Sequence, residues 1–195
     1  MSRTTHFPAF TPTSANLVRE CAQRWGDKTF VVLGEQRLTY AEADARSAQL
    51  AKGLLVSGVG KGTHVGLLAP NSPEWVIGWF AITRIGGVAA LLNTYSKAGE
   101  LSRAIRHSDQ LLTVGRHLGN DYLARLEQAA PGLVGQRHEH LLDERHPYLR
   151  AVWTWGGEPR SWCGDLSELA GRGDAVGDDL LTEVEAEVHP ADPMV

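Results

Sequence analysis

The sequence predicts an α/β fold of alternating helices and mostly parallel strands, on three observations. From Ala41 to Gly115 the pattern runs helix, strand, helix, strand, helix, strand, with connections of a few residues. That alternation is the signature of right-handed βαβ units. The run "VAALLN" is apolar enough to be a strand buried on both faces, as parallel strands are. A hydrophobic content of 43% with 22% charge, over 195 residues, supports one ordinary domain with a sizeable core.

A loose entry rich in Pro and Thr leads into "ANLVRECAQRW", where Leu17, Val18, Cys21 and Trp25 fall at helical spacing and Gly26 marks the stop. "TFVVLG" and "RLTY" are β-rich runs separated by Gly34, Glu35 and Gln36, which predicts a hairpin. Thr39 and Glu42 then supply the T-x-x-E of a capping box, in which hydroxyl and carboxylate each satisfy an orphan backbone N–H. The helix it opens is expected to reach about Ser57, with Ala43, Leu50, Leu54 and Leu55 inward, and to end at Gly58.

"GVGKGT", residues 58 to 63, has the vocabulary of a phosphate-cradling loop, but its setting is wrong. A phosphate loop leaves a strand and feeds a helix N-terminus, so that free N–H groups and the helix dipole face the anion. Here a helix precedes and the apolar strand "HVGLLA" follows. The G-x-x-x-x-G-K-[ST] spacing fails too, since Leu55 and Gly62 stand where glycine and a hydroxyl residue are needed. The stretch reads as a helix-terminating turn.

At the next junction "HVGLLAPNSPEW" ends a strand at Ala69 and begins a helix, with Asn71 or Ser72 as N-cap and Pro73 at the first helical position. Asn71 and Glu74 also fit a capping box. Because ligand crevices form beyond the carboxyl ends of parallel strands, this corner is a candidate pocket wall. The helix carries Val76, Trp79, Phe80 and Thr83 on one face, with Trp75, Ile82 and Ile85 nearby. An aromatic stripe at that spacing is read as core. "VAALLN" follows, then the helix "AGELSRAIRHSD" with Leu101, Ala104 and Ile105 inward, then the strand "LLTVG".

Past Gly115 the pattern weakens. "NDYLARLEQAA" predicts a short helix capped by Asn120 and ended by Pro131 and Gly132. "RHEHLLDERHP" gathers His138, His140 and His146 around Glu139 and Asp143, without the H-E-x-x-H spacing that puts two imidazoles one turn apart. It reads as a solvated loop. "RAVWTW" is one more strand, and the Gly- and Asp-rich stretch after it shows one brief helix around Leu166 to Leu169.

Composition excludes several functions. The net charge is −4 with both signs interspersed, so there is no electrostatic footprint for nucleic acid. Cys21 and Cys163 are far apart with no C-x-x-C, as in unpaired thiols of a reducing cytoplasm. "MSRTTHFPAF" lacks the apolar region of a secretory signal. Residues 75 to 92 form the longest apolar stretch, but Arg84 lies inside it and Gly86 and Gly87 break it. A central arginine costs roughly 2.5–3.5 kcal/mol on insertion scales, so no transmembrane segment is expected and the localisation read is cytoplasmic.

The closing "VHPADPMV" reads as the first residues of a strand with nothing to lead into, so the chain is expected to be cut short. Three segments now carry a resemblance: the L-T-Y-x-E helix start at residues 38 to 42, "VGLLAPNSPEW", and "IGGVAALLN" followed by the helix containing "IRHSD". In that order they resemble the opening of AMP-forming acyl-CoA synthetases (fatty-acid–CoA ligases) of the adenylate-forming ligase superfamily. "DLSELA" and "HPADPMV" resemble the approach to that family's nucleotide loop. The likeness is strongest over residues 38 to 110 and weakest over 116 to 180.

The resemblance implies an incomplete N-terminal ligase domain: an entry helix and hairpin strand over 1–37, an α/β core over 38–115, and a variable connection over 116–195 leading toward a missing phosphate loop. It implies two-step chemistry, in which a carboxylate attacks the α-phosphate of ATP with Mg²⁺ and coenzyme A thiolate then displaces AMP. Charge on the transferring phosphate needs backbone N–H groups, a metal and cations. In the family these lie downstream of the segments matched here, so no catalytic residue and no metal ligand is carried over, and the cofactor-binding residues are unknown. ATP, Mg²⁺ and CoA are not expected to bind tightly to this chain alone. The implied partner is the remainder of the ligase, as a separate or continued chain. The alternative is a non-catalytic α/β interaction or remnant module; a dinucleotide enzyme is disfavoured because no G-x-G-x-x-G follows any strand.

Overall fold

The computed structural model describes residues 9–157 and 160–195. Helix α1 (Ser14–Trp25) leads to the antiparallel hairpin β1 (Thr29–Leu33) and β2 (Gln36–Thr39), then to α2 (Tyr40–Val56). Strand β3 (His64–Leu68), α3 (Pro73–Arg84), β4 (Val88–Leu91), α4 (Ala98–Ala104) with a 3-10 turn, and β5 (Gln110–Val114) follow. The two-residue strands β6 (Arg116–His117) and β7 (Asn120–Asp121) precede α5 (Tyr122–Ala129). The chain continues through β8 (Ala151–Trp155), β9 (Gly164–Asp165), α6 (Leu166–Arg172) and α7 (Asp178–Ala186).

The main sheet has the order β4-β3-β5-β8-β9, with every neighbouring pair parallel. Because strand side chains alternate, Val65, Leu67, Leu112, Ala151 and Trp153 point to one face and Leu68, Leu111 and Val152 to the other. The first face is covered by α1, α2, α3, α6 and α7 through Val18, Leu54, Phe80, Leu169 and Leu181. The second is covered by α4, α5 and the loop before β8 through Leu101, Leu126, Leu141 and Leu149. The result is three layers, the α/β architecture the alternation predicts.

Local signals hold where the partners are close in sequence. Thr39 Oγ1 accepts the Glu42 N–H at 3.2 Å and the Glu42 carboxylate accepts the Thr39 N–H at 2.8 Å, closing the capping box. At the other end of α2, Gly58 adopts φ +89°. Its N–H bonds the Leu55 carbonyl at 3.0 Å, and Val59 bonds Leu54 at 2.9 Å. Those paired bonds are a Schellman motif, with Val59 and Leu54 both buried. Gly53 serves close approach instead, since a Cβ there would lie 2.1 Å from the Leu169 carbonyl of α6.

Elsewhere the expected details shift. Leu17 and Trp25 are each 48% exposed, because α1 lies at the rim and buries only Ser14, Ala15 and Val18. Leu55 is half-buried. Ser72, not Asn71, caps α3: its hydroxyl accepts the Trp75 N–H at 3.1 Å, so the Asn71–Glu74 box does not form. On α3 the buried set is Pro73, Ile77, Gly78 and Phe80 to Arg84, while Val76 and Trp79 sit at the margin. Strand β4 is an edge strand, so Val88 and Ala89 are buried but Leu91 is exposed. Ala104 is exposed because the helix tightens into the 3-10 turn there and Ile105 takes the inward position.

Asp121, not Asn120, caps α5: its Oδ1 accepts the Ala124 N–H at 2.8 Å. The brief helix reaches Arg172, and α7, which the residue pattern does not announce, follows it. The chain end is not a strand: His189 N–H bonds Asp192 in a turn, and only Met194 reaches the free edge of β4, accepting the Ala89 N–H at 2.9 Å. Among the described residues no helix is long and apolar enough to cross a membrane; residues 75 to 92 are α3 and β4.

Candidate functional site

The carboxyl ends of the parallel strands point to one end of the molecule, where ligand crevices form in such sheets. Beyond β8 and β9 a cleft of about 450 Å³ opens between α2, α3 and α6. Leu50, Ile77, Leu166 and Ala170 give it an apolar floor, with Trp155 and Gly156 at the end of β8. Arg46, Glu74 and Asp165 form a charged rim, with Arg46 3.7 Å from Glu74. Asp165 caps α6 by accepting the Ser167 N–H at 2.7 Å. The Ser167 hydroxyl, and that backbone bond in turn, hold its carboxyl below the ordinary range. These rim groups are occupied with one another or with helix ends, and the cleft presents mainly apolar surface.

The β3–α3 corner borders another, smaller cleft of about 340 Å³, lined by Val31, Val32, Leu33, Asn71, Ser72, Trp75 and Val76. The Ser72 hydroxyl is spent on the helix cap. So the corner does wall a cleft, whose other side is the β1–β2 hairpin.

The glycine turn is tied into the fold. Lys61 Nζ lies 2.8 Å from the Glu187 carbonyl oxygen and 2.7 Å from the Asp192 carboxylate, and Gly62 N–H bonds the Gly86 carbonyl at 2.8 Å. The Lys61 ammonium, and then the His189 N–H, hold the Asp192 carboxyl below its usual range. The lysine anchors the residues after α7 and faces no helix N-terminus.

The histidine loop is not uniformly solvated. His140 is exposed and His138 packs its ring edge-on to Trp153, 5.7 Å between centroids. His146 is buried, with Nδ1 3.0 Å from Asp143 Oδ1 and Nε2 3.0 Å from Ser102 Oγ. Burial works against ionisation of Asp143, but bonds from the Arg145 N–H and from His146 outweigh it and keep the carboxyl low. The apolar residues on either side, Leu141 and Leu149, pull this loop into the second core. Among the described residues no group of three or more His, Cys, Asp or Glu side chains gathers to hold a metal ion.

Arg84 is the largest departure from its reading as a membrane-excluding charge on an apolar helix. It is 1% exposed and bonded on every side: to Glu185 Oε1 at 2.6 Å, Asp44 Oδ1 at 3.0 Å, the Asp44 carbonyl at 2.9 Å and Ser47 Oγ at 2.8 Å. Glu185 also bonds Arg19. The guanidinium thus ties α3 to α2 and α7, paired and hydrogen-bonded as a buried charge requires.

With this geometry in hand, comparison with known proteins is informative. The family described as "AMP-binding enzyme" matches residues 18–194. A protein of Bacillus subtilis (strain 168) named as an acyl-CoA synthetase, YngI, is 33% identical over 144 residues, covering 72% of this chain and 26% of its own length. The medium/long-chain-fatty-acid–CoA ligase FadD6 of Mycobacterium tuberculosis is 40% identical over 91 residues, 47% of this chain and 15% of its own length. The chain therefore spans about a quarter or less of these relatives. Among solved structures, the anthranilate CoA ligase AuaEII in complex with anthranoyl-AMP superposes with a TM-score of 0.69 at 20% identity, over 85% of this chain and 29% of that one. At that identity the likeness is one of fold.

Proposed function

Because the chain belongs to the AMP-binding enzyme family, we propose that it is the N-terminal part of an AMP-forming acyl-CoA ligase. The whole ligase would activate a carboxylic acid as its acyl-adenylate and transfer the acyl group to CoA. A fatty acid is the favoured substrate, on the name of the mycobacterial relative. The observation that carries the reading is the family match running from residue 18 to 194. In this proposal residues 1–37 are an entry unit, 38–115 the α/β core and 116–195 a connection toward the nucleotide loop, with the rest of the ligase as partner and the cytoplasm as setting.

ATP, Mg²⁺ and CoA are the reactants this family implies, and the described residues do not fit the first two. Lys61, the one lysine in a glycine-rich turn, is bonded to Glu187 and Asp192. Carboxylates do not gather into a metal site among the described residues. No phosphoryl-transfer step is therefore assigned to this segment, whose glycine-turn lysine is held by Glu187 and Asp192. The chain alone is expected to be catalytically incompetent, a scaffold beside the reacting centre. The 450 Å³ cleft is its best candidate for a channel wall.

Two measurements test this. The DNA following the Val195 codon in its native locus is expected to encode a Ser/Thr/Gly-rich loop with a lysine, and unrelated sequence there overturns the ligase-segment reading. ATP–pyrophosphate exchange by the purified chain, over a panel of medium- and long-chain fatty acids, is expected at background. Acid-dependent exchange would overturn the claim of incompetence.

A further inference from the structure

Away from the cleft at the carboxyl ends, a second concavity lies on the other face of the sheet. Helix α4 passes into its 3-10 turn before β5, and the loop over residues 141–150 returns before β8. Between them is a cleft of about 370 Å³ lined by Ser102, Arg103, Arg106, Glu144 and Arg145. Among the described residues most arginines are paired within the chain, though Arg137 and Arg150 are not. Arg19, Arg46, Arg84, Arg116, Arg160 and Arg172 each face a carboxylate. Arg103, Arg106 and Arg145 have no hydrogen-bond or ion-pair partner for their side chains among the described residues. Three guanidiniums against the single carboxylate of Glu144 make this a positive site on a chain whose net charge is −4.

The floor of the cleft is built. Asp143 Oδ1 accepts the Arg145 N–H at 2.8 Å, the His146 N–H at 3.1 Å and faces His146 Nδ1 at 3.0 Å, which fixes the loop carrying Arg145. His146 Nε2 lies 2.9 Å from the Ser102 carbonyl oxygen and 3.0 Å from its hydroxyl. Held between Asp143 and Ser102, the ring fixes the loop against α4 and keeps Ser102 at the wall of the cleft.

We propose that this cleft is an anion site for a phosphate-type dianion, held by Arg103, Arg106 and Arg145. Arg103 and Arg106 are three apart and so lie on one side of their helical turn, while Arg145 comes from the loop across the cleft. Forked donors converging from two elements suit a tetrahedral oxyanion, whereas a planar carboxylate is served by one bidentate arginine. The proposal does not depend on the ligase reading, because none of these residues lines the cleft beyond β8 and β9.

The test is a titration of the native chain with inorganic phosphate and, separately, with methyl phosphate, at ionic strength held constant with chloride and with acetate as the monoanion control. Backbone amide shifts are followed by NMR. Saturable shifts confined to residues 101–107 and 143–146 are expected with at least one phosphate species, and which one binds separates free phosphate from a monoester as the source. Arg103→Gln with Arg106→Gln is expected to raise the midpoint at least about tenfold. Arg37→Gln, in the β1–β2 hairpin, is expected to leave it unchanged. The three arginines are exposed and Ser102 is half-buried, and an unchanged amide spectrum elsewhere shows that each variant is folded. Non-saturable shifts, acetate matching phosphate, or Arg37→Gln weakening binding as much as the double variant would overturn the site.

Discussion

Cys21 and Cys163 are both free thiols, yet their surroundings give them different chemistry. Cys163 is buried in the second core, and burial, assisted by the Asp165 carboxylate and only partly offset by Arg160, pushes its thiol up to about 12. The thiolate is the reacting species, so at pH 8 Cys163 is almost wholly in the inert form. Cys21 on α1 is half-buried and reachable. Iodoacetamide at pH 8 is accordingly expected to add one group to the native chain, at Cys21, and two once the chain is unfolded in denaturant, read by peptide mass spectrometry. Equal native rates at both positions would contradict the burial of Cys163. At this scale the sequence shows which residues exist but rarely what they do. Reading His138, His140 and His146 as one solvated group misses that His146 alone is drawn inside, by its contacts with Asp143 and Ser102.

Elements are legible where their ends are chemically marked. The T-x-x-E of Thr39 and Glu42, the Pro73 start and the Gly58 stop all act between residues at most five apart, and all three stand in the structure. Gly58 gives the sharpest check. With φ +89° and no atom within 4 Å of where a Cβ would sit, a side chain there meets no neighbour and only the backbone is penalised. Gly58→Ala is expected to cost about 1–2 kcal/mol, measured as a lower urea midpoint with an unchanged slope; an unchanged midpoint would mean that the turn relaxes freely. Helix α7 is hidden for the opposite reason. Its inward side, Leu181 and Val184, is interrupted by Glu185, and its N-cap Gly177 makes no side-chain cap bond, so neither its stripe nor its start is strongly marked. Glu185 is inside only because Arg84 is there to meet it.

For the whole molecule, that pair links the two ends of the sequence. Arg84 joins α3 to α2 through Asp44 and Ser47, and to α7 through Glu185, which in turn bonds Arg19 of α1. Lys52 to Asp178 at 2.6 Å and Lys61 to Asp192 at 2.7 Å fasten the same late segment. Removing one member of a buried pair strands the other, so Arg84→Met is expected to cost about 3 kcal/mol or more. Adding Glu185→Leu removes the stranded charge, and the double variant is expected to be less destabilised than the sum of the single changes. Denaturant midpoints of the four proteins in that cycle decide it; strict additivity, or a loss below about 0.5 kcal/mol for Arg84→Met, would show that the guanidinium is not the hub of the fold.

By itself the sequence determined the α/β class, the Thr39–Glu42 capping box and the Gly58 stop, the rejection of "GVGKGT" as a phosphate loop, and the family resemblance. Each rests on periodicity, on turn chemistry or on the order of short segments, and these are interactions or patterns a few residues wide. Only the tertiary structure decided which polar groups go inside and which cations stay unpaired. Arg84 meets Glu185 across 101 positions and Ser102 meets His146 across 44. The free energy that buries a charge or leaves a guanidinium open depends on partners at such separations, and no local pattern encodes them.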